Sequence, residues 1–123
     1  MKTVEQIEQN MLQAIGTTKY IKHFTGALVF TDGVEQLRED ADCYWLVDAI
    51  ASYRRTEPFQ VWELVVNADK SAVLTMKEDS GRKPKVTQKI GYTDFPLEKI
   101  ELWVEEGYVG DSPCMVLLLP SEH

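Results

Sequence analysis

The chain has 123 residues, of which 44% are apolar, 10% aromatic and 27% charged, and it carries a formal net charge of −7. That length suits a single domain spanning 1–123, and the aromatic content argues against disorder. The acidic excess repels nucleic acid unless cations gather in one place. They do so between Lys77 and Lys89, a segment of +3 that leaves the remainder at −10. The two cysteines, Cys43 and Cys114, have neither metal-ligand spacing nor the density of a disulfide scaffold, so free thiols are expected. The opening run MKTVEQIEQNMLQAIG lacks the apolar core of a signal peptide. No later run approaches the roughly 18 apolar residues of a membrane span. A cytoplasmic address without membrane contact is the expectation.

In chain order, Val4, Ile7, Met11 and Ile15 recur at helical steps, predicting an amphipathic helix over 3–15 with Thr3 as N-cap and Gly16 as its stop. Tyr20, Ile21 and Phe24 suggest a short strand, Thr25-Gly26 a turn, and Ala27 to Phe30 a second short strand. Asp32 and Glu35 resemble a capping box and predict a helix over 33–40, closed by the acidic run Glu39-Asp40-Ala41-Asp42. From Cys43 to Val66 the chain is at its most apolar. Trp45, Leu46, Val47, Ala49, Ile50 and Tyr53 make a helix buried on more than one side, and after Pro58 the run Phe59 to Val66 reads as a central strand. Further strands are expected at 72–77, 86–92, 100–105 and 114–119, with a single helical turn after Pro96 and a loop from Glu106 to Pro113. Phe30-Thr31-Asp32 and Tyr92-Thr93-Asp94 each read as an aromatic leaving a strand into an Asx- or Ser/Thr-type turn. Helices followed by hairpin-linked strands predict an α+β fold, its N-terminal helices packed on one face of a mainly antiparallel sheet of about five strands.

The segments FTG (24–26), FTDGV (30–34), YWLVDAIAS (44–52), FQVW (59–62), YTDFPLEKIELWVE (92–105) and LPSE (119–122) together resemble a family of small bacterial and phage- or plasmid-borne proteins of unknown function. The resemblance spans about residues 24–123 and implies no activity, cofactor or catalytic residue. It does imply a mobile-element setting. Members commonly carry an aromatic- and histidine-bearing segment between the FTG and TDG turns, whereas only Ala27 to Phe30 separates them here.

No Gly-rich phosphate loop, HExxH, paired CxxC, GxSxG or GxGxxG is present. His23 and His123 are the only histidines, and a lone His23 is expected to be a surface or hydrogen-bonded structural residue. Cys43 at the first turn of the central helix is either a packed small residue or a thiol activated by the helix dipole. Asp48 is the one acid of that helix. With Tyr44 and Ser52 on its face and Arg55 beyond, it either joins a buried network or, with Tyr44 and Cys43, lines a ligand or catalytic site. The clusters Glu39-Asp40-Asp42 and Glu105-Glu106-Asp111 read as solvated faces with no metal cage, and no cofactor is expected. Trp103, on the strand face that carries Glu101 and Glu105, is either an exposed anchor for a partner or covered by a helix. Arg82, Lys83 and Lys85 are the candidate contacts for a polyanion, against the alternative of a solvated hairpin tip.

These features favour a small acidic interaction protein without catalytic activity, of accessory or host-modulating type, working on an unidentified protein partner or on a second copy of itself. A ligand-binding module or enzyme near Asp48, and nucleic-acid contact through residues 77–89, are the alternatives.

Overall fold

Local chemistry starts the first helix where its spacing predicts. The computed structural model describes residues 2–14, 19–79 and 81–123, and α1 (Val4–Gln13) opens on a capping box in which Thr3 accepts from the Gln6 N–H and Gln6 accepts from the Thr3 N–H. Its expected last apolar residue, Ile15, and the stop at Gly16 lie outside the described residues. Two short strands follow, β1 (Tyr20–Lys22) and β2 (Val29–Thr31), then α2 (Asp32–Asp40) and α3 (Tyr44–Ser52). The second half of the chain is β3 (Phe59–Val66), β4 (Ala72–Lys77), β5 (Val86–Ile90), β6 (Lys99–Val109), β7 (Ser112–Leu118) and a 3-10 turn over Pro120–Glu122. No helix among the described residues is long and apolar enough to cross a membrane.

The fold is α+β, with one mixed seven-stranded sheet in the order β1-β2-β7-β6-β3-β4-β5 rather than about five antiparallel strands. The five expected strands are all present. The two short N-terminal segments extend the sheet because β2 pairs with β7 in parallel, Val29 opposite Val116 and Phe30 opposite Leu117. This pairing joins distant parts of the chain, so hairpin spacing does not reveal it. β3 is an interior strand, yet its faces differ: Gln60, Trp62 and Leu64 are buried, while Phe59, Val61 and Glu63 are half-buried. The buried set merges with Ile7, Val34, Leu37, Leu46, Val47 and Ile50 of the three helices, with Leu74 and Met76, and with Leu102, Val104 and Leu117 in a single core. Trp62 brings a polar atom into it, satisfied by Gln60 Oε1 at 2.9 Å.

Three local expectations change in the folded chain. The segment Glu106 to Pro113 is not a loop, because β6 and β7 continue as a paired arm to a turn at Gly110-Asp111. Pro113 is tolerated there because it stands opposite Tyr108, one step from the pairs that exchange ladder hydrogen bonds, so its missing N–H leaves no gap against β6. No helical turn follows Pro96. The Glu98 carbonyl accepts from Val66 N–H at 2.8 Å, which draws the segment into line with β6. The N-cap of α2 is Thr31, not Asp32: its oxygen accepts from Val34 N–H at 3.2 Å while its hydroxyl donates to Glu122 at 2.7 Å. Its counterpart Thr93 accepts from Phe95 N–H at 3.1 Å, the Ser/Thr-type turn predicted for that segment.

The acidic run that closes α2 is not uniformly solvated. Asp40 is buried, receives Asn10 Nδ2 and Gln36 Nε2 each at 2.8 Å, and so ties α1 to α2, whereas Glu39 and Asp42 are exposed.

Glu122 explains why position 33 is glycine. A Cβ there would stand 2.6 Å from the Glu122 carboxylate, which also accepts from Leu119 N–H at 2.9 Å. Gly33→Ala therefore pushes that carboxylate off Thr31 and should cost about 1–2 kcal/mol in urea unfolding. Glu122→Ala should cost a similar amount, and the double variant little more than either. Additive costs would show that the two residues act separately.

Candidate functional site

The central helix distributes its polar groups instead of gathering them. The Tyr44 ring lies under the Arg38 guanidinium, 4.5 Å from its centroid, and Ser52 Oγ donates to the Ala49 carbonyl of its own helix at 2.6 Å. Cys43 occupies the N-cap position, fully buried, with its thiol 3.6 Å from the Leu37 carbonyl. Burial pushes the thiol pKa up to about 12, opposite to the activation that a helix N-terminus favours. Arg55 bonds Glu57, not Asp48.

Asp48 takes a partner that spacing along the helix does not suggest. Its Oδ1 is 2.7 Å from His23 Nε2, and its side chain keeps 44% exposure, so it is a half-solvated pair and not a buried ion. His23 itself is only 3% exposed. Thr25 N–H donates to its Nδ1 at 3.2 Å, which makes Nδ1 the acceptor and leaves the ring proton on Nε2, facing Asp48. The Thr25 hydroxyl also meets Nδ1, at 2.8 Å, and accepts from Ala27 N–H. Arg54 donates to the Thr25 carbonyl at 2.7 Å. The FTG turn is thereby fastened at two points, to α3 through Asp48 and to the segment just after it through Arg54. A hydroxyl–imidazole–carboxylate chain has the polarity of a nucleophilic triad, but the Phe24 ring stacks 4.5 Å from the imidazole. The surface cavities of about 880 Å³ beside α1 and about 790 Å³ beside the β6/β7 arm are lined by none of His23, Thr25 and Asp48. The geometry is that of a lock. Among the described residues, no three His, Cys, Asp or Glu side chains converge as a metal cage requires.

On the opposite face of the sheet, Trp103, Glu101 and Glu105 come together. Trp103 Nε1 donates to Glu101 at 3.1 Å, and its ring meets Phe59 edge-on at 5.3 Å and His123 at 5.2 Å. His123 Nε2 is 3.0 Å from Glu105. Trp103 is half-buried by these neighbours. Phe59 and His123 are members of this group that sequence spacing missed, because the pairing of β3 with β6 sets Phe59 opposite Glu105 and no local signal encodes that register. In the basic hairpin, Arg82 and Lys83 are exposed, but the Lys85 ammonium bonds Glu78 and lies 3.6 Å from Glu57. The hydrogen bond it donates to Glu78 holds it above the usual lysine range.

The fold and these sites define a small α+β protein built on a mixed seven-stranded sheet, with a histidine–carboxylate lock on one side and an acidic, aromatic patch on the other. The chain belongs to DUF6876, a family of unknown function whose family model matches residues 5–123. No curated protein and no solved structure matches it.

The buried thiol gives a pH-dependent expectation. Because Cys43 stays protonated in the folded chain up to about pH 12 against an ordinary 9.0, the unfolded chain alone releases this proton between those values. Its contribution is complete below pH 9 and falls by about 1.4 kcal/mol per pH unit above it. The stability of Cys43→Ala, measured by denaturant titration from pH 8 to 10.5, should decline less steeply than wild type by that amount. Parallel curves would contradict the burial of the thiol.

Proposed function

We propose that the protein is an acidic interaction module that works by binding, not by catalysis, and that it presents the face of its sheet bearing Trp103, Glu101 and Glu105 to a basic protein partner. The supporting observation is the composition of that face. Phe59, Val61, Val65, Val73 and Trp103 are all partly accessible, and Glu63, Glu101 and Glu105 stand among them. The helices share their core with the other face, so helices on one side leave this one for a partner. Strand register puts Lys77 and Lys89 at the β4–β5 end of this face and Lys99 against Glu63, so its acidic border is the end where Glu101 and Glu105 flank Trp103. That end suits a cationic surface, and a net charge of −7 favours such a partner. Asp48 and Cys43 are accounted for by the turn lock and by packing, which favours the binding reading over an enzyme built on them. Engagement of Lys85 by Glu78 and Glu57 likewise weakens the case for a polyanion site. A cytoplasmic accessory or host-modulating role on a mobile element suits this chemistry.

Titration with an acetylated, amidated Lys-Val-Lys-Val-Lys peptide tests the reading. Tryptophan fluorescence should respond, the response should be lost in Trp103→Phe, and Glu101→Gln with Glu105→Gln should weaken binding on the order of tenfold. Arg82→Glu with Lys83→Glu should not weaken it. Affinity that is unchanged between low and high salt would rule out charge as the basis of recognition.

A further inference from the structure

The edge of β6 is incomplete. In the β3–β6 ladder, Val66 N–H donates to the Glu98 carbonyl and Glu106 N–H to the Pro58 carbonyl. Antiparallel pairs alternate between those that exchange hydrogen bonds and those that do not, so Ile100, Leu102 and Val104 bond β3, while Lys99, Glu101, Trp103 and Glu105 direct their backbone groups to the other side. On that side β7 serves Trp103 and Glu105 through Leu118 and Val116, and then the chain leaves the sheet for the 3-10 turn at Pro120. The backbone N–H and C=O groups of Lys99 and Glu101 therefore face outward without a strand partner among the described residues.

What they face is a groove of about 880 Å³ between β6, α1 and the 3-10 turn. Its apolar lining includes Met11, Leu12, Leu97, Ile100 and Leu119. Leu12, at the rim of this lining, is 76% exposed and adds to its apolar area. Three acids, Glu8, Glu98 and Glu101, line the groove, and its one cation, Lys99, is paired with Glu63 at 3.1 Å. A helix beside an open strand edge, with an apolar floor between them, is the geometry that accepts an extended peptide as an added strand.

We propose that this groove binds an extended segment of a partner protein, which continues the line of β7 and pairs antiparallel with Lys99–Glu101. The added strand places alternate side chains on the two faces of the sheet. The residue opposite Glu101 shares its face and is basic, Lys99 sets no charge requirement because Glu63 already pairs it, and the residues between point with Ile100 toward the core side and are apolar. The recognised segment thus alternates apolar residues with others, of which the one opposite Glu101 is basic. The inference rests on reading the chain as a binding module and specifies the partner's chemistry and backbone geometry, with Glu101 common to groove and face.

Backbone N-methylation of the Lys-Val-Lys-Val-Lys peptide separates this from simple adsorption on an acidic surface. The residues that exchange hydrogen bonds with Glu101 and Lys99 are the lysines, so methylating the lysine nitrogens should weaken binding on the order of tenfold or more, and methylating the valine nitrogens should leave it nearly unchanged. On the protein side, Glu101→Pro removes one outward N–H without touching the β3 ladder, and should abolish binding that Glu101→Gln only weakens. If Glu101→Pro does not fold, the methylation pattern decides the matter. Equal losses at both sets of nitrogens, losses at the valines alone, or no binding of the parent peptide overturn the proposal. Equal losses with the Trp103 response retained remove the groove and leave the acidic face standing. Alternating losses without any Trp103 response do the reverse.

Discussion

The parallel pairing of β2 with β7 is the contact on which the rest of the molecule hangs. Only two register pairs make it, Val29 with Val116 and Phe30 with Leu117, yet it attaches the N-terminal half of the chain to the antiparallel run β7-β6-β3-β4-β5. Closing so long a loop costs conformational entropy that a pair of ladder steps does not repay alone. The closure is reinforced on both sides. Phe30 and Leu117 enter the common core, and the Thr31–Glu122 clasp joins the start of α2 to the chain just beyond β7. Gly33 is part of this constraint, because the space that a side chain would fill belongs to the Glu122 carboxylate.

Once that closure is made, most unusual polar residues of the N-terminal half acquire structural work. His23 and Asp48 fasten the β1–β2 turn to α3, and Asp40 collects amide donors from α1 and α2. Each satisfies a group that would otherwise be costly to desolvate. The acids on and beside β6 differ. Among the described residues Glu101 and Glu105 meet the Trp103 indole and His123, and they stand beside a strand edge with outward backbone groups and an apolar groove. Polar chemistry is internally answered on the helical side of the sheet and directed outward on the β6 side. That asymmetry, and not any single residue, sets the functional reading.

Several features were legible in the residues because they depend on neighbours within a few positions. The capping box at Thr3, the strand Phe59–Val66 and the hairpin strands β4 and β5 are of this kind. So is the Ser/Thr turn at Thr93. The misreadings have a common cause. Asp32 has the pattern of an N-cap, but Thr31 takes the position because Glu122, far along the chain, orients its hydroxyl. The stretch around Gly107 and Pro113 has the composition of a loop, but hairpin pairing carries the strands through it. Cys43 sits where a dipole favours a thiolate, and burial outweighs the dipole. Helical spacing sets Tyr44 and Ser52 a turn from Asp48, whereas its partner His23 reaches it from the β1–β2 turn.

The sequence by itself determined the α+β class, the amphipathic faces, the turn chemistry and the excess of negative charge, since each of these is a property of short segments or of composition. The tertiary structure alone decided which polar groups are consumed and which remain available. It set His23 against Asp48, placed Phe59 and His123 around Trp103, and ended β7 early enough to leave the edge of β6 open. Those outcomes depend on strand register and on contacts between remote segments, and no local pattern of side chains encodes either.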